Sequence, residues 1–389
     1  MRLLKICCSE WINETRDMRE LSACRELGMD IIVLAKGKAT DKGNEEMVES
    51  FVVKRYSTRP WGEKIPNFIS RIISLFTWGR FASKQNADII SGHDIGGLTI
   101  AWIANLFLPR KKRAKLVYDS HEFELGRNRK RLFTVTMMIA VWEKYLIQKC
   151  AFSIVVNDSI ADEIKKVYRL QQRPIVVRNV PYRWNIDEQI CQEYRKRILT
   201  LYEEKIDKIV MYHGVVGDNR GIKEIILATS HLKNVGVFIL GRILDVNYYN
   251  SLKKIIKEHG LEGKIYFHEA VNSNEMWKYV GAADLGVCYI IPVYKSYYYA
   301  LPNKLFENIQ ALTPVVVSNL PEMKKIVLDY QVGIVCKNNT VESLEESIRD
   351  FFDKTQFENK FVENEKSAKK SLCWEREKIV LKNAYKELL

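Results

Sequence analysis

The sequence predicts an α/β protein built from two doubly wound domains in tandem, and two observations carry that expectation. Short apolar, β-rich runs alternate with longer helical patterns through most of the chain. The alternation then begins afresh after a charge-dense stretch at 181–207 that carries no strand. Several of the strands are continuous apolar runs rather than alternating ones, as in a parallel sheet covered on both faces. Such sheets bind ligands at the carboxyl ends of their strands, and two of them face to face make a cleft.

In the first half the strands fall at 3–8, 30–34, 51–55, 88–91, 114–118, 152–156 and 175–178, with helical patterns between them such as 18–27 and 131–147. In the second half strands fall at 208–213, 236–240, 264–267, 285–288, 315–317 and 333–335. Helices there fall at 222–232, 247–259, 273–281, 304–310, 320–327 and 341–353. The segment between the two halves reads as a linker.

Length and composition agree. A chain of 389 residues suits two domains, and 47% hydrophobic with 28% charged residues is globular rather than disordered or fibrous. No signal peptide is expected, because the apolar run after Met1 is short and reads as a first strand. The longest uncharged stretch, 95–109, falls short of the roughly 20 residues a membrane span needs. The eight cysteines form no C-x-x-C pair and read as reduced, buried thiols. The net charge of +13 is one-sided: residues 1–200 hold 35 basic and 23 acidic side chains, residues 201–389 hold 26 and 25. A basic half points to a nucleic acid, an anionic membrane or an acidic substrate.

Three constellations carry chemistry. The first runs from His213 through Gly214, Val215, Gly217, Arg220 and Gly221, after a strand and before a helix. Glycines let the backbone approach an anion, the helix N-terminus offers free N–H groups, and Arg220 adds charge suited to a diphosphate. The second is Tyr299 through Phe306 and Glu307. Pro302 and Asn303 start a helix, which puts Lys304 in a first turn where a cation is unfavourable unless an anion sits there. Glu307, one turn on, can accept from a pair of ribose hydroxyls. The third pairs two strand ends, Ser91-Gly92-His93-Asp94 and Tyr118-Asp119-Ser120-His121-Glu122, each with a histidine and a carboxylate at the binding edge.

Together these motifs resemble the family-4 retaining glycosyltransferases of polysaccharide biosynthesis. Tyr118–Glu122 matches the Y-D-S-H-E of one branch, Tyr212-His213-Gly214 through Arg220-Gly221 its Y-x-G…[KR]-G loop, and Tyr299–Glu307 its Y-A-L-P-N-K-L-F-E. Asn13–Glu20 looks like its D-x-R-x-x-x-E stretch, and Cys373-Trp374-Glu375 like its terminal segment. The resemblance implies a GT-B fold, two Rossmann-like doubly wound α/β domains facing across a cleft, with a C-terminal helix crossing back to the N-terminal domain. The implied division is an acceptor-binding domain at 1–185, a linker at 186–207, a donor-binding domain at 208–370 and the returning helix at 371–389.

The implied activity is hexosyl transfer with retention, without a divalent metal or cofactor, from a UDP- or GDP-sugar to a glycan or lipid-linked glycan. By motif match, Glu307 would hold the ribose, Arg220 and Lys304 the diphosphate, with Asn303 beside them. Gly214 would offer an N–H or room near the phosphate, Val271 its backbone near the base, and His121 and His93 would stand at the reaction centre. Two departures stand out. Tyr299 replaces the first glutamate of the usual E-x7-E pair, and Val215 replaces a frequent arginine. A catalytically silent GT-B binding subunit and a GT-B sugar-nucleotide epimerase are the competing readings. No carboxylates are placed for an epimerase, and no nucleic-acid reader module is recognisable.

The basic excess peaks at Arg110, Lys111, Lys112 and Arg113 and again at Arg127–Arg131. A helical pattern near 66–84 interleaves Phe76 and Trp78 with Arg71 and Arg80, and reads as an interfacial anchor. The expectation is a cytoplasmic protein with a peripheral contact on the inner face of an anionic membrane, near a lipid-linked acceptor.

Overall fold

The computed structural model describes residues 1–12, 14–38, 40–58, 67–127, 133–354 and 356–389. The basic residues expected at 129–131 lie outside these. The chain divides into two compact units, Met1–Arg178 with Glu377–Leu389, and Asn179–Arg376.

The first unit runs β1 (Arg2–Cys7), α1 (Thr15–Arg25), β2 (Asp30–Gly37), β3 (Lys42–Val48), β4 (Phe51–Ser57), α2 (Asn67–Ser83), β5 (Ile89–His93), α3 (Asp94–Leu106), β6 (Lys115–Ser120), α4 (Phe133–Ile147), β7 (Phe152–Val155), α5 (Asp158–Tyr168) and β8 (Ile175–Val176). Its eight strands order as β3-β4-β2-β1-β5-β6-β7-β8. All pairs are parallel except β3 with β4. The central strands are buried almost end to end, which is why they read as unbroken apolar runs. The edge strand β3 is mostly exposed and charged, so nothing in its sequence marks it as a strand.

The second unit continues with α6 (Glu188–Leu199), β9 (Lys208–His213), α7 (Ile222–Thr229), β10 (Val235–Leu240), α8 (Val246–Glu258), β11 (Ile265–His268), α9 (Met276–Val280), β12 (Leu285–Cys288), α10 (Lys295–Tyr298), α11 (Asn303–Ala311), β13 (Val315–Val317), α12 (Pro321–Tyr330), β14 (Gly333–Val335), α13 (Val341–Asp353), α14 (Gln356–Ser371) and α15 (Trp374–Lys386). Its sheet is wholly parallel, in the order β11-β10-β9-β12-β13-β14. In both sheets the order reverses beside the first strand of the unit, where the crevice of a doubly wound fold opens.

The stretch expected as a linker holds α6. That helix belongs to the second unit: Asp187 caps it, and Ile198 with Tyr202 packs under β9 and β10. The unit boundary falls at 178/179, and the end of α15 from Glu377 on belongs with the first unit. There Glu377 accepts the Arg178 backbone N–H at 2.8 Å, Lys115 donates to the Leu388 carbonyl at 2.8 Å, and Tyr385 meets Phe152 edge-on. All eight cysteines are free thiols. No helix among the described residues is long and apolar enough to cross a membrane.

Candidate active site

In the second unit the loop after β9 is shaped by close backbone approach. A Cβ on Gly241 would lie 1.7 Å from the Gly214 carbonyl oxygen, and one on Gly221, at φ +75°, would strike the Tyr289 carbonyl. Only glycine fits either place. Gly214 itself sits at φ +120°, where a Cβ would meet only the Tyr212 hydroxyl at 4.0 Å, and its N–H donates to the Leu240 carbonyl at 2.9 Å. Of its two expected contributions, room for a ligand is therefore the one left, because the N–H is already committed.

His213 ends β9 and is buried, with Nε2 at 2.9 Å from Glu307 Oε2. A carboxylate can only accept, so this nitrogen carries the proton. Glu307 is fixed through one oxygen and has the other to offer. Lys304, one turn earlier in α11, is 7% exposed. Its ammonium lies 3.8 Å from the Tyr212 ring centroid and finds no hydrogen-bond partner among the described residues. Tyr212 is itself held by its hydroxyl on the Val215 carbonyl. Asn303 opens α11, whose N-terminus receives no side-chain cap. A buried ammonium without an acceptor is costly, and an uncapped helix start adds unsatisfied N–H groups at the same spot. Both costs are relieved by an anion.

Arg220 is exposed on the loop before α7, and Val271 is half-buried against the α6 cluster. Arg242 went unread in the sequence. It follows β10, its carbonyl accepts from Val216 N–H at 3.0 Å, and its side chain is exposed beside the Gly214 loop. The signal was there: a Gly-Arg pair directly after a buried strand, at a carboxyl edge.

In the first unit the two histidines come together. The β5–β6 register sets His93 opposite Asp119, and the His93 and His121 rings lie 3.8 Å apart. Asp17, from α1, stands 3.0 Å from His93 Nδ1 and 3.5 Å from His121 Nε2, and Asp119 reaches the same His121 nitrogen at 3.0 Å. Beneath them Lys5 is fully buried, in contact with Asp119 and at 3.2 and 3.3 Å from Asp17 and Glu20. Arg16 bridges Glu20 and Asp119. Asp94 holds the His121 backbone N–H at 3.1 Å and Arg127 at 2.7 Å, from a left-handed φ of 53°. Strain of that kind in a non-glycine residue concentrates at functional sites.

Burial alone would lower Lys5, but Asp119, Asp17 and Glu20 together hold it well above its ordinary value. Burial would raise Asp17, and Lys5 and the His93 hydrogen bond override it and push it down. His93 is raised, its burial outweighed by the Asp17 hydrogen bond. Burial and Asp17 push the Cys7 thiol up, so it is no nucleophile. Cys7, Asp17 and His93, and Asp17, Asp119 and His121, bring ligand-type atoms within 4.8 Å of one another. The ammonium of Lys5 already supplies positive charge among these carboxylates.

Of the expected membrane anchors, Arg110–Arg113 are exposed and Phe76 is half exposed. Trp78 is not an anchor. It is 1% exposed, packs in the α2–α3 core and donates its indole N–H to the Ser57 carbonyl at 2.9 Å.

The comparisons with known proteins meet this geometry. A family model described as Glycosyltransferase Family 4 matches residues 18–179, and one described as Glycosyl transferases group 1 matches residues 197–368. The fold is shared with sucrose-phosphate synthase from Thermosynechococcus elongatus, at 14% identity over 100% of this chain and 99% of that one, with a TM-score of 0.75. It is shared with Anabaena HepE in complex with UDP-glucose, at 14% identity, 100% and 99% coverage and a TM-score of 0.74. It is also shared with WaaG, a glycosyltransferase involved in lipopolysaccharide biosynthesis, at 16% identity, 97% and 99% coverage and a TM-score of 0.66. No curated protein matches the sequence. The fold is that of the GT-B glycosyltransferases, and the two family models, which between them span both units, support a glycosyltransferase of that kind.

Proposed function

We propose that the second unit binds a nucleotide-sugar, a UDP- or GDP-sugar, and that the enzyme transfers its hexose with retention to a glycan or lipid-linked glycan in cell-surface polysaccharide assembly. The observation that carries this reading is the orphaned Lys304 ammonium at the uncapped start of α11, one turn from Glu307. Cation, free N–H groups and a carboxylate with one oxygen to spare match a diphosphate followed by a ribose. HepE was solved with UDP-glucose, which supports a donor of that class, and the work of WaaG in lipopolysaccharide supports the setting.

Glycosyl transfer requires that charge developing on the leaving diphosphate be stabilised. Lys304, Arg220 and the α11 N-terminus do this without a metal, and Arg242 stands where the missing arginine at Val215 leaves a need. Asn303, Gly214 and Val271 shape the rest of the donor site. His121 and His93, locked by Asp17, Asp119 and Asp94, serve the acceptor half of the reaction. A thermal-shift screen over nucleoside diphosphates tests the donor half. UDP or GDP raises the melting temperature of the wild type in the presence of EDTA, and Lys304→Ala removes most of the shift. No shift with any nucleotide contradicts the reading and leaves the silent binding subunit.

A further inference from the structure

α4 is built inside out for a surface helix. Its buried side chains are confined to Glu143, Leu146 and Ile147, whereas Phe133, Met138 and Val141 are 78%, 71% and 65% exposed. Residues 133, 137, 141 and 145 repeat every four positions, so Phe133, Met137, Val141 and Tyr145 form one stripe along the helix. A contiguous exposed apolar stripe marks an interaction surface. Trp102 of α3 packs edge-on against Trp142 and Tyr145, and with Met137, Met138 and Val141 these rings line an open groove of about 790 Å³. A second groove of about 500 Å³ shares Trp102 and Tyr145 and is lined further by Arg113, Lys115 and Lys149. An apolar trough thus runs into a cationic one.

The segments that build it are nearly all of one sign. Residues 67–87, 95–118 and 133–149 contain a single acidic side chain, Glu143. It is buried, and the Tyr118 and Tyr168 hydroxyls donate to it at 2.7 and 2.6 Å. Around the grooves Arg110, Lys111, Lys112, Arg113 and Lys149 are exposed. A second copy of this face would meet like charge. A nucleic acid would satisfy the cations but leave Phe133, Met138 and Val141 in water. An anionic bilayer satisfies both, with acyl chains against the stripe and phosphates against the cations.

We propose that the α3–α4 face of the first unit is a docking surface for a bilayer of anionic phospholipid, its apolar groove taking acyl chain and Arg113 with Lys149 taking headgroup phosphate. This goes beyond the transferase reading, since the face shares no residue with the histidine cluster or the donor site. It also relocates the anchor from α2, whose Trp78 faces inward, to α4.

Flotation of the full chain with phosphatidylcholine vesicles, alone or mixed with phosphatidylglycerol, tests the proposal. The wild type floats with the mixed vesicles and not with the neutral ones, and high salt weakens binding. Met138→Asp with Val141→Asp cuts the floated fraction about tenfold or more. Arg113→Glu with Lys149→Glu does the same, while neutral vesicles behave as before. These positions are at the surface, and an unchanged nucleotide-induced thermal shift or circular dichroism melt shows that each variant folds. Failure of the wild type to float, equal flotation of the Asp variant, or a wild-type dimer that Met138→Asp dissociates overturns the proposal. Nucleotide binding by the same preparations is read separately, so loss of docking and loss of the donor reading are distinct results.

Discussion

His93 shows how a buried lysine reaches the chemistry through its neighbours. Lys5 lies in the middle of the β1 apolar run, and its ammonium gathers Asp17, Glu20 and Asp119. With Arg16 that makes two cations against three carboxylates, and a proton on His93 is the remaining compensation. His93 is accordingly raised above its ordinary value. The sign follows: the stability it contributes is fully present below about pH 6.5 and is lost as pH rises through the raised value. In NMR titration His93 changes protonation above pH 6.5, and Asp17→Asn brings its midpoint down by about one unit or more. An unchanged midpoint in that variant contradicts the role given to Asp17. Both histidines were legible in the sequence as strand-end motifs. Their stacking and the Lys5 network were not, because a lysine in a strand names no partner until the sheet register is known.

At the scale of elements, α11 was the most legible part. Its Pro-Asn start and Lys304–Glu307 spacing read correctly, because local capping rules and helical period fix both. α1 begins earlier than its sequence pattern suggests, since Asp17 is drawn in by Lys5 and Arg16 by Glu20 and Asp119 rather than by apolar periodicity. α14 packs against α11 and carries a feature that no pattern reveals. Glu365 is fully buried, neither of its oxygens has a hydrogen-bond partner among the described residues, and burial raises its carboxyl well above its ordinary value. The folded state therefore holds this proton while the unfolded state releases it near pH 4.3. Stability from this group is present below that pH and falls as pH rises towards the raised value. Glu365→Gln stays uncharged throughout, so its melting temperature gains on the wild type by several degrees between pH 5 and 8. Parallel melting curves across that range contradict the assignment.

The whole molecule divides its labour by charge. The excess of cations belongs to residues 1–200, and much of it lies in 67–87, 95–118 and 133–149, where Glu143 is the one acidic side chain. The second half is nearly balanced, and there Lys304 stands out among the described residues as a buried ammonium with no hydrogen-bond partner. The two-unit α/β plan was legible because buried parallel strands announce themselves. The stretch that holds α6 reads as a linker because a charged amphipathic helix looks the same in sequence whether it joins domains or covers one. The most direct test of the central claim is release of nucleoside diphosphate from UDP- and GDP-sugars, measured in EDTA with wild type and Lys304→Ala. One donor is turned over by the wild type, and the variant is slower by on the order of 10²-fold, the scale of one lost oxyanion donor. Turnover by Lys304→Ala at the wild-type rate contradicts the account.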